Sequence, residues 1–170
     1  MYKGENFMYN KKNLKEKNVE LNGVKSPGKS VTSNSFTAYT NGSYKDKLNN
    51  GYGLVLVDSN GNIKFSEGNA VAVIDKNLED MSSIKSELVA IVRSVSSAYI
   101  LGAKEITLVY NCNEAVDLLT CTEVKSDFSV NYRAIMNYYS QFMNITFKKN
   151  DNPNKFYKLA YDLARSTLWN

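Results

Sequence analysis

Cys112 and Cys121 are the two thiols of the chain, nine positions apart, and no histidine accompanies them anywhere in the sequence. A lone pair of cysteines is neither a zinc motif nor a disulfide framework, so both are expected as free thiols in a reducing compartment such as the cytoplasm. The absence of histidine removes the usual proton shuttle at neutral pH. It also removes every serine–histidine or cysteine–histidine nucleophile and every histidine-ligated metal. Carboxylates and lysines are left to do chemistry. Glu87 opens an amphipathic run, where a helix dipole favours an acid in any case.

The lysines are unevenly placed. Residues 1–36 hold seven lysines and three glutamates, which account for the whole net charge of +4. A basic, Asn/Lys-rich and flexible arm over residues 1–34 is expected, attached to a neutral body over 35–170. Such an arm can bind phosphate backbones non-specifically. The segment Ser26-Pro27-Gly28-Lys29-Ser30 reads as linker. With 170 residues and 43% hydrophobic content, one domain with a real core is expected. No apolar run reaches the roughly 18 residues of a membrane span, and Met1–Asn10 lacks an apolar signal core, so neither membrane nor secretion is expected.

Those groups must be positioned by the elements of the body. Phe36–Thr40 reads as a strand, ended by the turn residues Asn41-Gly42-Ser43. Gly51–Asp58 and Ile63–Asn69 flank Asn60-Gly61, a hairpin signal. Val19–Val24 could form an isolated extended piece. Apolar residues at Ile84, Leu88, Ile91, Val92, Val95, Ala98, Tyr99 and Leu101 mark one face of a long helix, which Ser82 or Ser83 caps and Gly102 stops. Glu105–Tyr110 is a strand, Asn113–Leu119 a short helix, Ser126–Phe142 an amphipathic helix and Ile145–Lys149 a last strand. Pro153 fits the first turn of a closing helix reaching Leu168. The order β-β-β-α-β-α-α-β-α gives an α/β fold. Its mixed five-stranded sheet has three antiparallel strands and then parallel ones, with helices packed on it. Tyr132, Tyr138 and Tyr139 fall at helical spacing, which indicates packing more than base stacking.

Five segments in order resemble type I ribonuclease H, from Phe36 to Leu168. They are Tyr39-Thr40-Asn41-Gly42-Ser43, Gly51-Tyr52-Gly53-Leu54-Val55-Leu56, Ser86-Glu87-Leu88-Val89-Ala90, Leu108-Val109-Tyr110-Asn111-Cys112 and Leu159-Ala160-Tyr161-Asp162-Leu163-Ala164. The resemblance implies a ribonuclease H-like fold. It also implies hydrolysis of RNA in RNA–DNA hybrids by two divalent metals held on four carboxylates. Carried over, those positions are Asn41, Glu87, Asn111 and Tyr161, of which only Glu87 matches. Asp151 and Asp162 are the acids that could rescue the set, Asp151 from the loop where many members carry a histidine. Gly42 and Ser43, with Lys148, Lys149, Lys155 and Lys158, would face a nucleic-acid backbone.

One carboxylate facing two dications lacks the charge to hold them, and asparagine is only a neutral dipole. The resemblance therefore implies a degenerate member, a pseudoenzyme that binds RNA–DNA hybrid or duplex without cleaving it. No cofactor is required, although Glu87 leaves room for one weakly held Mg²⁺ or Mn²⁺. Two alternatives stand beside this. The neutral body, with a Cys121–Asp127 segment too short for a basic handle, suits a protein-interaction domain. An active ribonuclease H would follow if Asn41 and Asn111 were engineered isosteres of Asp, or if Asp151 or Asp162 replaced the lost ligands. Tyr161 is no isostere of Asp and speaks for natural loss.

Overall fold

The structure, a computed structural model, describes residues 20–21, 34–46, 49–71, 82–120 and 127–168. The remainder of the arm, Cys121 and most of the Cys121–Asp127 segment lie outside the described residues. The elements are β1 (Glu20–Leu21), β2 (Ser35–Asp46), β3 (Asn49–Asp58), β4 (Ile63–Ala70), α1 (Ser82–Ile100), β5 (Glu105–Tyr110), α2 (Glu114–Thr120), α3 (Asp127–Ser140), β6 (Asn144–Lys149) and α4 (Lys155–Ser166).

The expected mixed five-stranded sheet is present, in the order β6-β5-β2-β3-β4. The pairs β2–β3 and β3–β4 are antiparallel, whereas β2–β5 and β5–β6 are parallel. The extended piece expected near Val19 is not isolated, because Glu20 and Leu21 pair antiparallel with Thr146 and Ile145 at the free edge of β6. Among the described residues, no helix is long and apolar enough to cross a membrane.

Period-two alternation divides the sheet into two faces. Phe36, Ala38 and Leu56 pack with Leu88, Ile91 and Val95 of α1 and with Tyr132 and Met136 of α3. Each fully buried Leu or Ile here contributes about 1.5–3 kcal/mol by leaving water. Val55 and Val57 face the other way, onto Ala160 of α4. Tyr132 is a core residue whose hydroxyl donates to the Ala115 carbonyl at 2.9 Å. Tyr138, by contrast, is exposed and meets Tyr139 and Phe142 at the surface.

Local chemistry sets the ends of several elements. Gly61 at φ +79° turns the β3–β4 hairpin, while Asp58 Oδ1 accepts the backbone N–H groups of Asn60 and Asn62 at 2.9 Å. Gly102 at φ +78° ends α1, with the N–H groups of Gly102 and Ala103 donating to the carbonyls of Tyr99 and Ala98.

Two expected boundaries move. Asn41-Gly42-Ser43 is not a turn, because β2 runs on to Asp46 and pairs these residues with Gly53, Tyr52 and Gly51. A continuous partner strand satisfies the backbone there, so the local turn preference loses. α4 starts after Pro153, at Lys155. Its cap is Asn154, whose side-chain oxygen accepts the N–H groups of Phe156 and Tyr157 at 3.0 Å.

α4 lies unusually close to the sheet. A Cβ on Gly53 would sit 2.0 Å from the Ala160 carbonyl oxygen, and one on Gly68 would sit 2.8 Å from that of Leu163. Ala160 and Ala164, both fully buried, complete this close seat from the helix side. The seat lets α4 lie directly on the sheet, where its side chains reach β2.

Candidate functional site

The parallel ladder of β2 and β5 has Tyr39 opposite Val109 as its last pair. Asn41 and Asn111 each lie two residues beyond that pair, at the end of the sheet where β5 gives way to α2. Thr40 Oγ1 donates to the Val109 carbonyl at 3.1 Å and holds β2 against β5 at this point. Past Tyr39 the β5-facing edge of β2 is left without a strand among the described residues, and Gly42 and Ser43 are half-buried there.

Glu87 enters from α1 and is 6% exposed. Its Oε1 accepts the Asn111 N–H at 2.6 Å and its Oε2 accepts the Cys112 N–H at 3.1 Å. Burial raises the Glu87 pKa, and the two N–H groups partly oppose that rise. Both oxygens thus brace the turn after β5. Next door the Cys112 thiol donates to Glu114 Oε2 at 2.7 Å, and burial together with that acceptor pushes its pKa to about 12. Cys112 is free and, as a thiol with so high a pKa, a poor nucleophile.

Asn41, also 6% exposed, donates from Nδ2 to the hydroxyl of Tyr157 at 2.7 Å. Burial raises the Tyr157 pKa, and the Glu87 charge adds to the rise. Asn41, Glu87 and Asn111 therefore gather at one end of the sheet, and Tyr157 joins them from α4.

Tyr161 does not join them. It is 40% exposed, its hydroxyl accepts Arg165 Nη1 at 3.1 Å, and the guanidinium lies 5.6 Å from its ring centre. Asp162 is turned further away, beside a surface hollow lined by Ile63, Lys155, Lys158 and Leu159. The reason is the helical step of about 100° per residue. Asp162 stands a full step beyond Tyr161, whereas Tyr157 and Tyr161, four residues apart, lie only about 40° apart on the helix, Tyr157 half-buried and Tyr161 exposed. Asp151 is exposed, yet close enough to the end of β5 for its charge to help raise the Tyr110 pKa. Among the described residues no three Asp, Glu or Cys groups converge as a metal site.

Tyr157 escapes sequence reasoning, although a signal exists. Tyr157-Lys158-Leu159-Ala160 and Tyr161-Asp162-Leu163-Ala164 carry the same Tyr-x-Leu-Ala spacing one turn apart. The resemblance to a closing-helix motif falls on the second alone.

Lys148 and Lys149 lie opposite Val109 and Tyr110 at the same end of the sheet, and both are exposed. Lys155 is exposed at the start of α4, with its ammonium 4.9 Å from the Phe156 ring centre.

The sequence profile of a family described as reverse transcriptase-like matches residues 39–167. The chain belongs to this ribonuclease H-like family. The fold agrees. RNase H1 of Halobacterium salinarum is similar with a TM-score of 0.61 at 18% identity, over 79% of this chain and 97% of that one. The N-terminal RNase H domain of a Mycobacterium tuberculosis protein is similar with a TM-score of 0.64 at 18% identity, over 80% and 94%. LC11-RNase H1, in complex with an RNA/DNA hybrid, is similar with a TM-score of 0.62 at 17% identity, over 78% and 96%. At these identities the likeness establishes the fold. No curated protein sequence gave a significant match.

The family's two metals can be tested against the residues present. Asn41 and Asn111 offer only neutral amide oxygens and Tyr157 a phenol, so Glu87 is the single anion among the four. A pair of hard dications needs several anionic oxygens. This donor set does not fit two such ions.

Proposed function

We propose that this domain binds nucleic acid, as RNA–DNA hybrid or duplex, on its ribonuclease H-like scaffold without two-metal cleavage. One observation carries the reading: Glu87 is the single acid among Asn41, Glu87, Asn111 and Tyr157, and its carboxylate already serves the turn after β5. Exposed lysines on both faces of the sheet at this end, Lys148 and Lys149, support phosphate contacts, as does the open edge of Gly42 and Ser43. The relative LC11-RNase H1 holds an RNA/DNA hybrid on this fold.

The test is a labelled hybrid titrated with the full chain at several salt concentrations, followed by incubation with Mg²⁺ or Mn²⁺. Affinity should fall steeply with salt, and the RNA strand should stay intact. Lys148→Ala with Lys149→Ala should weaken binding and flatten the salt dependence by about 0.9 in log–log slope for each phosphate no longer neutralised. Absence of binding at low salt removes the nucleic-acid reading, and cleavage by the unaltered chain removes the pseudoenzyme reading.

A protein-interaction role has its own support. Tyr138, Phe142 and Tyr99 form an exposed aromatic cluster, with ring centres 5.1 Å apart for Tyr138–Phe142 and 5.4 Å for Tyr99–Phe142. Contiguous apolar surface of this kind suits a partner. A hybrid-binding assay that fails while a stable partner copurifies with the chain would favour it.

A further inference from the structure

We propose that Tyr157, rather than Tyr161, stands at the fourth ligand position of the degenerate site, and that its hydroxyl, bonded to Asn41, takes the place of the missing acid. The inference rests on the reading of this site as one that has lost its metals.

Two contacts pin the first turn of α4 onto β2. Asn154 Nδ2 donates to the Tyr39 hydroxyl at 2.9 Å, with the Phe156 ring centre 5.6 Å from that of Tyr39. Two residues further along the same face of β2, Asn41 donates to Tyr157. A step of two along the strand is thus matched by the first turn of the helix. Gly53, where a Cβ would stand 2.0 Å from the Ala160 carbonyl oxygen, lets the next turn of α4 lie directly against β3 in that orientation.

With that rotation, position 157 points to the end of the sheet where Asn41 and Asn111 lie. Tyr161, one turn on, is 40% exposed and bonded to Arg165, although it remains close enough to Tyr157 to add to the rise of that pKa. The Tyr157 hydroxyl holds the Asn41 side chain and lies within range of the Glu87 charge. That hydroxyl is neutral, held in the proton-bound form by burial and by the Glu87 charge, and brings no negative charge. Restoring acids at 41 and 111 alone should therefore leave the site one acid short. A carboxylate at 157 should complete it, and one at 161 should not.

Three full-chain variants make the test: Asn41→Asp with Asn111→Asp, then that pair with Tyr157→Asp, and that pair with Tyr161→Asp. Mn²⁺ is titrated calorimetrically into each, and melting temperature is recorded with and without Mg²⁺. Adding Tyr157→Asp should tighten Mn²⁺ binding by at least about tenfold over the pair and make the melting temperature rise with Mg²⁺. Adding Tyr161→Asp should leave affinity within about twofold of the pair. The opposite ranking, equal gains or no gain overturns the assignment. If the Tyr157→Asp variant is unfolded without metal, its refolding by Mn²⁺ in circular dichroism is the readout, and failure to refold counts against the assignment. The underlying reading fails by a separate sign, cleavage of hybrid by the unaltered chain, which leaves the ranking of these variants intact as a measurement.

Discussion

The hydroxyl of Tyr157 accepts a hydrogen bond from the side-chain amide of Asn41 at 2.7 Å, tying the first turn of α4 to the middle of β2 across 116 positions of sequence. Removing that hydroxyl should show in stability. Tyr157→Phe is expected to lose about 0.5–1.5 kcal/mol, the ordinary net worth of a hydrogen bond. Tyr161→Phe, on an exposed side chain, should stay within about 0.5 kcal/mol. Urea denaturation of both variants against the unaltered chain measures the difference. Equal losses would contradict the placement of the two tyrosines.

Glu87 is expected to matter for folding whether or not any metal binds. Glu87→Ala leaves the N–H groups of Asn111 and Cys112 without their acceptor. The loss should be roughly 2–4 kcal/mol, because hydrogen bonds to a charged group are worth about 1.5–3 each. Denaturant unfolding in EDTA checks this. A neutral outcome would mean that the clamp on the β5–α2 turn is not held in solution.

Gly53 should be among the least replaceable glycines. In Gly53→Ala the new methyl would meet the Ala160 carbonyl at 2.0 Å, and helix backbone cannot swing aside as a side chain can. A loss of about 3 kcal/mol or more is expected. Gly61→Ala meets no atom within 4 Å and is strained only by its φ of +79°, so about 1–2 kcal/mol should be lost there. Melting curves of the two variants give the comparison.

The acid limb of stability should carry a contribution from Asp58. The N–H groups of Asn62 and Asn60, with Lys64 at 3.3 Å, lower its pKa from 3.8 to about 2. The folded state therefore releases this proton more readily than the unfolded state. Its stabilisation is complete above pH 3.8 and is lost as pH falls from there toward 2. Asp58→Asn should flatten that part of a melting-temperature profile recorded between those limits. An unchanged slope would show that the hairpin does not hold the carboxylate as described.

Much of this fold is written locally. The apolar run of Gly51–Asp58, the Asn60-Gly61 hairpin, the spaced apolar face from Ile84 to Leu101 and the stop at Gly102 each depend on neighbours a few residues away. Periodicity and turn chemistry therefore sufficed to place β3, β4, α1 and the order of everything after them. Asn41, Glu87 and Asn111 could be singled out for the same reason, since each sits in a short motif. What failed was non-local. Asn41-Gly42-Ser43 has the composition of a turn, and only its pairing with Gly51–Gly53 makes it strand. The closing helix presents Tyr-x-Leu-Ala twice and the motif falls on Tyr161, whereas it is Tyr157 that meets Asn41. Gly53 and Gly68 beneath α4 let the helix backbone approach the sheet there. Sequence by itself points to Tyr161 as the tyrosine of the closing-helix motif. Packing between segments a hundred residues apart brings Tyr157 to Asn41 instead, because a helix has a sequence-encoded face but takes its angle from what it lies on.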